Sequence, residues 1–167
     1  MSAPVWRIAS ETASHMANDM SGEGARVTGG RWNSVGVPLL YCSSSVPLAM
    51  LETLCYLQYG SMPLNRFLIR IDIPDEVWMD RQVLSPLPGG WDAVPAGLTS
   101  RLAGDAWVAQ GRAALLVVPS VLIPEEENVL INPAHADTAR TAATTVKRWH
   151  FDPRLLRAAN SAASPRR

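Results

Sequence analysis

The sequence predicts a single mixed α/β domain of the α+β kind, and three observations lead there. At 167 residues the chain has the length of one domain, enough to bury roughly 70% of its unfolded surface around one core. The segment LNRFLIRIDI alternates Phe67, Ile69, Ile71 and Ile73 with Leu68, Arg70 and Asp72, the period of two of a half-buried strand. Two short apolar runs, AALLVVPS (113–120) and NVLIN (128–132), read as buried strands separated by an acidic turn, while helix-length segments fall between other strands.

In chain order, PVWRIAS (4–10) reads as a first strand. The stretch ETASHMANDMSGEGARVTGGRWNSVG that follows lacks a clean period and reads as a long, partly ordered loop, a length usually tied to function or disorder. VPLLYCS (37–43) is a second strand, after which Ser44 or Ser45 can cap a helix from about Pro47 to Tyr59, with the proline in its tolerated first turn. Beyond LNRFLIRIDI, VWMD (77–80) extends the sheet and SPLPGGWDAVP (85–95) is turn chemistry throughout. PAGLTSRLAGDAWVAQG (95–111) reads as a helix ending near Gly111, and TTVKRWHFD (144–152) as the last strand. The domain is expected to span 1–156. The remaining residues, 157–167, form a small, polar, basic tail expected to lack order of its own or to meet a partner.

Composition excludes several classes. Fifteen basic residues balance fifteen acidic ones, so no overall field draws the chain onto nucleic acid, and no run interleaves basic with aromatic residues. No apolar run has membrane length, and MSAPVWRIAS lacks the basic flank and apolar core of a signal peptide, so a cytoplasmic chain with free thiols at Cys42 and Cys55 is expected. His15, His135 and His150 are too dispersed for a metal site, and none is expected. Lys147 is the only lysine, a skew that favours planar, bidentate recognition of carboxylate or phosphate and that codon usage would equally produce.

Glu52 lies on a helix whose Leu48, Leu51, Cys55 and Tyr59 share one side and Met50, Leu54 and Leu57 the other, so its carboxylate is expected to be desolvated. It pairs with an arginine, reaches water at the helix edge, or meets a substrate. Arg31 follows Gly29-Gly30 and precedes Trp32: either glycine backbone and a guanidinium fork approach a phosphate, or a surface arginine packs on the tryptophan. The loop is neither a Walker A motif nor a dinucleotide fingerprint, and G-x-S-x-G is absent. Tyr41 and Ser120 read alone as core-edge residues.

Taken together and in order, VWRIAS, GEGARVTGGRWN, PLLYCSSS, PLAMLETLCYL, VVPSVLIPEEENVLINPAHAD and FDPRLL resemble the RES-domain family, the toxin half of RES–Xre toxin–antitoxin modules. The resemblance places the family's arginine, glutamate and serine on Arg31, Glu52 and Ser120, with Tyr41 as a further active-site position. It implies an ADP-ribosyltransferase-like fold with antiparallel or mixed sheets around an NAD cleft. It also implies cleavage of NAD, as a substrate, at the nicotinamide–ribose bond. ADP-ribose would pass to a host protein, water or phosphate, and a cognate Xre-type DNA-binding antitoxin would neutralise the chain. On this reading Arg31, Tyr41 and Glu52 carry the chemistry, and Gly30, Trp32, Asn33, Ser43, Ser120 and Asn132 contact the nucleotide. A carboxylate beside a developing oxocarbenium ion makes independent chemical sense of Glu52. The competing reading is a non-enzymatic module that only holds a partner.

Overall fold

In a computed structural model, the structure describes residues 3–56 and 64–155. The basic tail and the end of the helix expected to reach Tyr59 lie outside the described residues. Seven strands form one mixed sheet: β1 (Ala3–Ser10), β2 (Leu40–Ser43), β3 (Arg66–Ile73), β4 (Gln82–Val83), β5 (Leu115–Pro119), β6 (Glu127–Ile131) and β7 (Ala142–Trp149). Their order is β4-β5-β6-β2-β1-β3-β7, and neighbours run antiparallel except for the parallel pair β4–β5.

The register reveals two half-sheets. β1 follows β3 along its whole length, from Ala3↔Ile73 to Ser10↔Arg66, and β2 follows β6 from Leu40↔Ile131 to Ser43↔Asn128. Between β1 and β2 the only registered pair is Trp6↔Ser43. The halves therefore meet at one bridge and part on either side of it.

Both faces are covered, which is why β5 reads as a continuous apolar run rather than an alternation. Val5, Cys42, Ile69, Ile71, Val117, Val129 and Ile131 pack on one side. Their strand neighbours Leu116, Val118 and Leu130 turn to the other, against Leu39, Trp32 and Trp107. Trp107 belongs to one of four α-helices among the described residues: α1 (Glu23–Thr28), α2 (Val46–Cys55), α3 (Asp75–Met79) and α4 (Leu98–Gln110). Ser45 caps α2 by accepting the Leu48 N–H at 3.3 Å. α4 crosses the loop before β2 so closely that a Cβ at Gly104 would collide with the Trp32 carbonyl, and Asp105 accepts the Ser34 N–H at 2.9 Å.

Two expectations change. VWMD does not extend the sheet: it completes α3, with Asp75 and Glu76 in a first turn whose N–H groups favour negative charge, and Val77 buried. Four apolar-rich residues cannot separate strand from helix by period, and β4 extends the sheet instead. Within the long 11–36 loop, six residues form α1. No helix among the described residues is long and apolar enough to cross a membrane.

Candidate active site

A cleft of about 340 Å³ opens where β1 and β2 part. This falls within the range of small-molecule sites. β1 contributes Trp6, Arg7 and Ile8, β2 contributes Leu40 to Ser43, and the glycine-rich segment contributes Gly22, Gly29 and Gly30. α2 presents Ala49, Glu52, Thr53 and Tyr56, the i, i+3, i+4, i+7 positions of one helix face. Asn128 of β6 and Arg66 of β3 complete the wall.

Glu52 is half-buried rather than desolvated, and no arginine among the described residues pairs with it. Its Oε1 accepts two hydrogen bonds, from Ser120 Oγ at 2.9 Å and from Asn128 Nδ2 at 2.5 Å. Oε2 takes none among the described residues. The helix that carries Glu52 is itself tied to the β5–β6 turn. Ser45 Oγ donates to Glu126 at 2.7 Å, and the Ser44 N–H donates to the Glu127 carbonyl at 3.0 Å. Partial desolvation first and the Glu52 carboxylate second raise the phenol of Tyr56 above its ordinary range, while Arg31 opposes them; the residue as a whole is 73% exposed. Among the described residues no cluster of three or more His, Cys, Asp or Glu side chains could hold a metal ion.

The glycine-rich segment is organised by Asn33, which is fully buried. Its amide donates to the carbonyls of Ala25 (2.8 Å), Val37 (2.9 Å) and Ser34 (3.2 Å), and its Oδ1 accepts the Tyr41 hydroxyl at 2.7 Å. Tyr41 Oη in turn accepts the Trp32 N–H at 2.9 Å. Burial drives the Tyr41 phenol well above its ordinary value, so it stays a neutral, fully bonded strut. Gly30 is where the backbone closes on that strut: a Cβ there would lie 2.6 Å from the Tyr41 hydroxyl.

The residues named from sequence divide into those at the cleft and those behind it. Gly30, Tyr41, Ser43 and Glu52 line it. Trp32 is buried against Trp91, with ring centroids 6.3 Å apart, and Arg31 Nη1 donates to the carbonyls of Trp91 and Ala93, both at 2.8 Å. Arg31 thus latches the 85–95 turn. Ser120 is buried beneath Glu52, where its Oγ also accepts the N–H groups of Leu122 (3.1 Å) and Ile123 (3.3 Å). Asn132 is buried beyond the cleft and ties the end of β6 to α4 through the Val108 carbonyl at 3.3 Å.

Among the lining residues that escaped the sequence reading are Arg7, Arg66 and Asn128. Arg7 makes one long bond, 3.4 Å, to the Asp19 carbonyl. Arg66 Nε is buried without a partner. Among the described residues neither guanidinium meets a carboxylate. Arg7 carried a signal, since it shares the strand side of Val5 and Ala9, both buried, where an unpaired cation is costly. Asn128 carried none, because its partners arrive only through the β2–β6 register.

Two half-sheets around a cleft with a clamped glutamate define the class. The profile of the RES domain matches residues 4–153, and the chain belongs to the RES domain family. It is similar to the Prs ADP-ribosylating toxin of Sphingobium sp. (strain YBL2), 50% identical over 161 residues that cover 95% of this chain and 100% of that protein. It is also similar to Toxin Res of Yersinia enterocolitica serotype O:8 / biotype 1B, 39% identical over 84% of this chain and 93% of that one. In fold it resembles a chain of the M. tuberculosis MbcT–MbcA toxin–antitoxin complex, with a TM-score of 0.61 at 18% identity, covering 96% of this chain and 90% of that one.

Proposed function

We propose that this chain is a toxin that cleaves NAD at the nicotinamide–ribose bond and transfers ADP-ribose to a host protein. The observation that carries the reading is the pairing, in one cleft, of a clamped carboxylate whose second oxygen has no bond with two guanidinium groups that have no carboxylate partner, among the described residues. A diphosphate suits the cations, and a ribose cation suits the carboxylate. As the C1′–N bond breaks, its electron pair moves to the nicotinamide nitrogen and neutral nicotinamide leaves. Glu52 opposes the positive charge that develops on the ribose, and an acceptor nucleophile bonds to C1′ while its proton passes by way of Glu52 to solvent.

In this reading Arg7 and Arg66 hold the diphosphate, while Gly30, Tyr41 and Ser43 frame the nicotinamide riboside. Arg31, Trp32, Asn33, Ser120 and Asn132 act one layer behind. Similarity over full length to a protein named for ADP-ribosylating Prs favours a protein acceptor over water or phosphate, with Prs the first candidate. The fold shared with a toxin–antitoxin complex supports a cognate antitoxin, proposed to be of the Xre DNA-binding kind.

Purified protein incubated with NAD and adenylate-labelled NAD, alone and with lysate or Prs, tests this. A discrete labelled protein, with slower nicotinamide release from NAD alone, supports the transferase. Rapid NAD loss without labelling makes water or phosphate the acceptor, told apart by whether the rate rises with phosphate. A protein that binds NAD but neither releases nicotinamide nor labels anything is not an NAD-cleaving enzyme.

A further inference from the structure

The strand register places Ser43 of β2 directly opposite Asn128 of β6. The Ser43 hydroxyl donates to Asn128 Oδ1 at 2.8 Å, and Asn128 Nδ2 donates to Glu52 Oε1 at 2.5 Å. An asparagine side chain offers an acceptor at one end and donors at the other, and the two ends have nearly the same shape. Turned over, its Oδ1 would face Glu52 Oε1, two acceptors in contact. The carboxylate, an acceptor only, fixes the sense of the amide, and the buried Ser43 hydroxyl holds its far end by donating to Oδ1. With Ser120 also donating to Oε1, both bonds fall on the same carboxylate oxygen. The carboxylate cannot turn away without losing them, and Oε2, on a residue that lines the cleft, is left without a bond among the described residues.

We propose that Asn128, braced by Ser43, is a positioning residue that pins Glu52 so that Oε2 alone meets the ligand. The inference rests on the reading of Glu52 as the carboxylate of NAD cleavage. Preorganisation of this kind acts on the transition state, where a carboxylate free to turn would lose alignment, more than on ground-state binding. It also makes the polarity of position 128 matter, not only its size.

The test uses Asn128→Ala, Asn128→Asp and Ser43→Ala in the full chain, with folding checked by thermal unfolding. Asn128→Ala is expected to lower kcat for nicotinamide release about 10- to 100-fold while KM stays within about threefold, and Ser43→Ala to do the same more weakly. Asn128→Asp nearly preserves shape and sets two carboxylates against each other. Such a pair shares one proton, and while it does so the link to Glu52 survives. When that proton leaves, repulsion turns Glu52 away. The variant should therefore gain a basic limb, losing activity as pH rises through the upper apparent pKa of the pair, that the native profile lacks. A residue that only packs would give a loss independent of pH. Native kcat in Asn128→Ala, or an Asn128→Asp profile parallel to the native one, overturns the proposal. Should native protein release no nicotinamide, the NAD reading fails on its own, and carboxylate ¹³C titration with Glu52→Gln as assignment control decides the positioning claim. A Glu52 signal coupled to Asp in the Asn128→Asp variant supports it, and a signal that titrates as in the native chain overturns it.

Discussion

Replacing Glu52 by Gln isolates charge from shape. The glutamine carbonyl can occupy the place of Oε1 and keep the bonds from Ser120 Oγ and Asn128 Nδ2, while the new amide replaces Oε2 at the cleft. These two bonds lose charge assistance, which costs about 1–2 kcal/mol of stability together, too little to unfold a typical domain. The effect on rate is larger. A carboxylate about 4 Å from a unit positive charge, at the effective dielectric of about 20 suited to a half-buried group, contributes about 4 kcal/mol. Part of that is screened at the open mouth of the cleft, so nicotinamide release should fall by roughly two to three orders of magnitude, the scale of losing one preorganised electrostatic group. NAD affinity, measured by calorimetry, should change by less than about fivefold, because in the ground state the positive charge sits on the nicotinamide ring and moves onto the ribose only as the bond breaks. A folded Glu52→Gln variant that turns over NAD within about fivefold of the native rate would refute the electrostatic role.

Three further outcomes follow from the geometry. Arg31→Ala removes both bonds to the Trp91 and Ala93 carbonyls, so limited proteolysis within residues 85–95 should accelerate about tenfold or more. NAD affinity should fall less than in Arg7→Ala, and the reverse order would return Arg31 to the phosphate. Gly104→Ala forces a methyl onto the Trp32 carbonyl, a backbone atom that cannot swing aside, and should cost about 1–3 kcal/mol in a urea unfolding midpoint. Burial pushes the Cys42 thiol from 9.0 up to about 12. Between those values the unfolded chain has released a proton that the native chain keeps, so stability falls with rising pH by about 1.4 kcal/mol per unit from this group. Cys42→Ala should flatten the fall between pH 9 and pH 10, before Tyr41 contributes, and an unchanged slope would remove Cys42 as its source.

What the sequence disclosed depended on how local the signal was. The alternation in 64–73 and the apolar runs at 113–120 and 128–132 located β3, β5 and β6, because burial of a strand face is written in adjacent residues. α1, at six residues, and α3, at five, are too short for a helical period to emerge, and one was read as loop and the other as strand. Glu52 and Ser120 were each singled out, but their contact spans 68 positions and is made by folding alone. The hydrogen bonding of the Gly-Gly-Arg-Trp stretch was least legible. Trp32 and Arg31 both turn to the 85–95 segment, a neighbour that no local pattern announces.

The buried polar side chains explain how so small a cleft can hold its shape. Among the described residues the buried polar set is Asn33, Ser43, Ser100, Ser120, Asn132 and Thr138. Burying such groups is unfavourable unless every bond is met, so a fold retains them where a fixed geometry is needed. Asn33 fixes Tyr41 and the glycine-rich segment, and Ser120 fixes Glu52 directly, while Ser43 does so through Asn128. Thr138 and Asn132 brace each other at the far end of β6, where Thr138 Oγ1 donates to the Asn132 carbonyl at 2.6 Å. Asn33, Ser120 and Asn132, which the sequence reading gave to the nucleotide, thus bond to other protein groups. That arrangement leaves the cleft wall to present a carboxylate oxygen without a bond and two guanidinium groups without a carboxylate among the described residues, and it places the requirement for precision on neutral side chains that hold the charged ones.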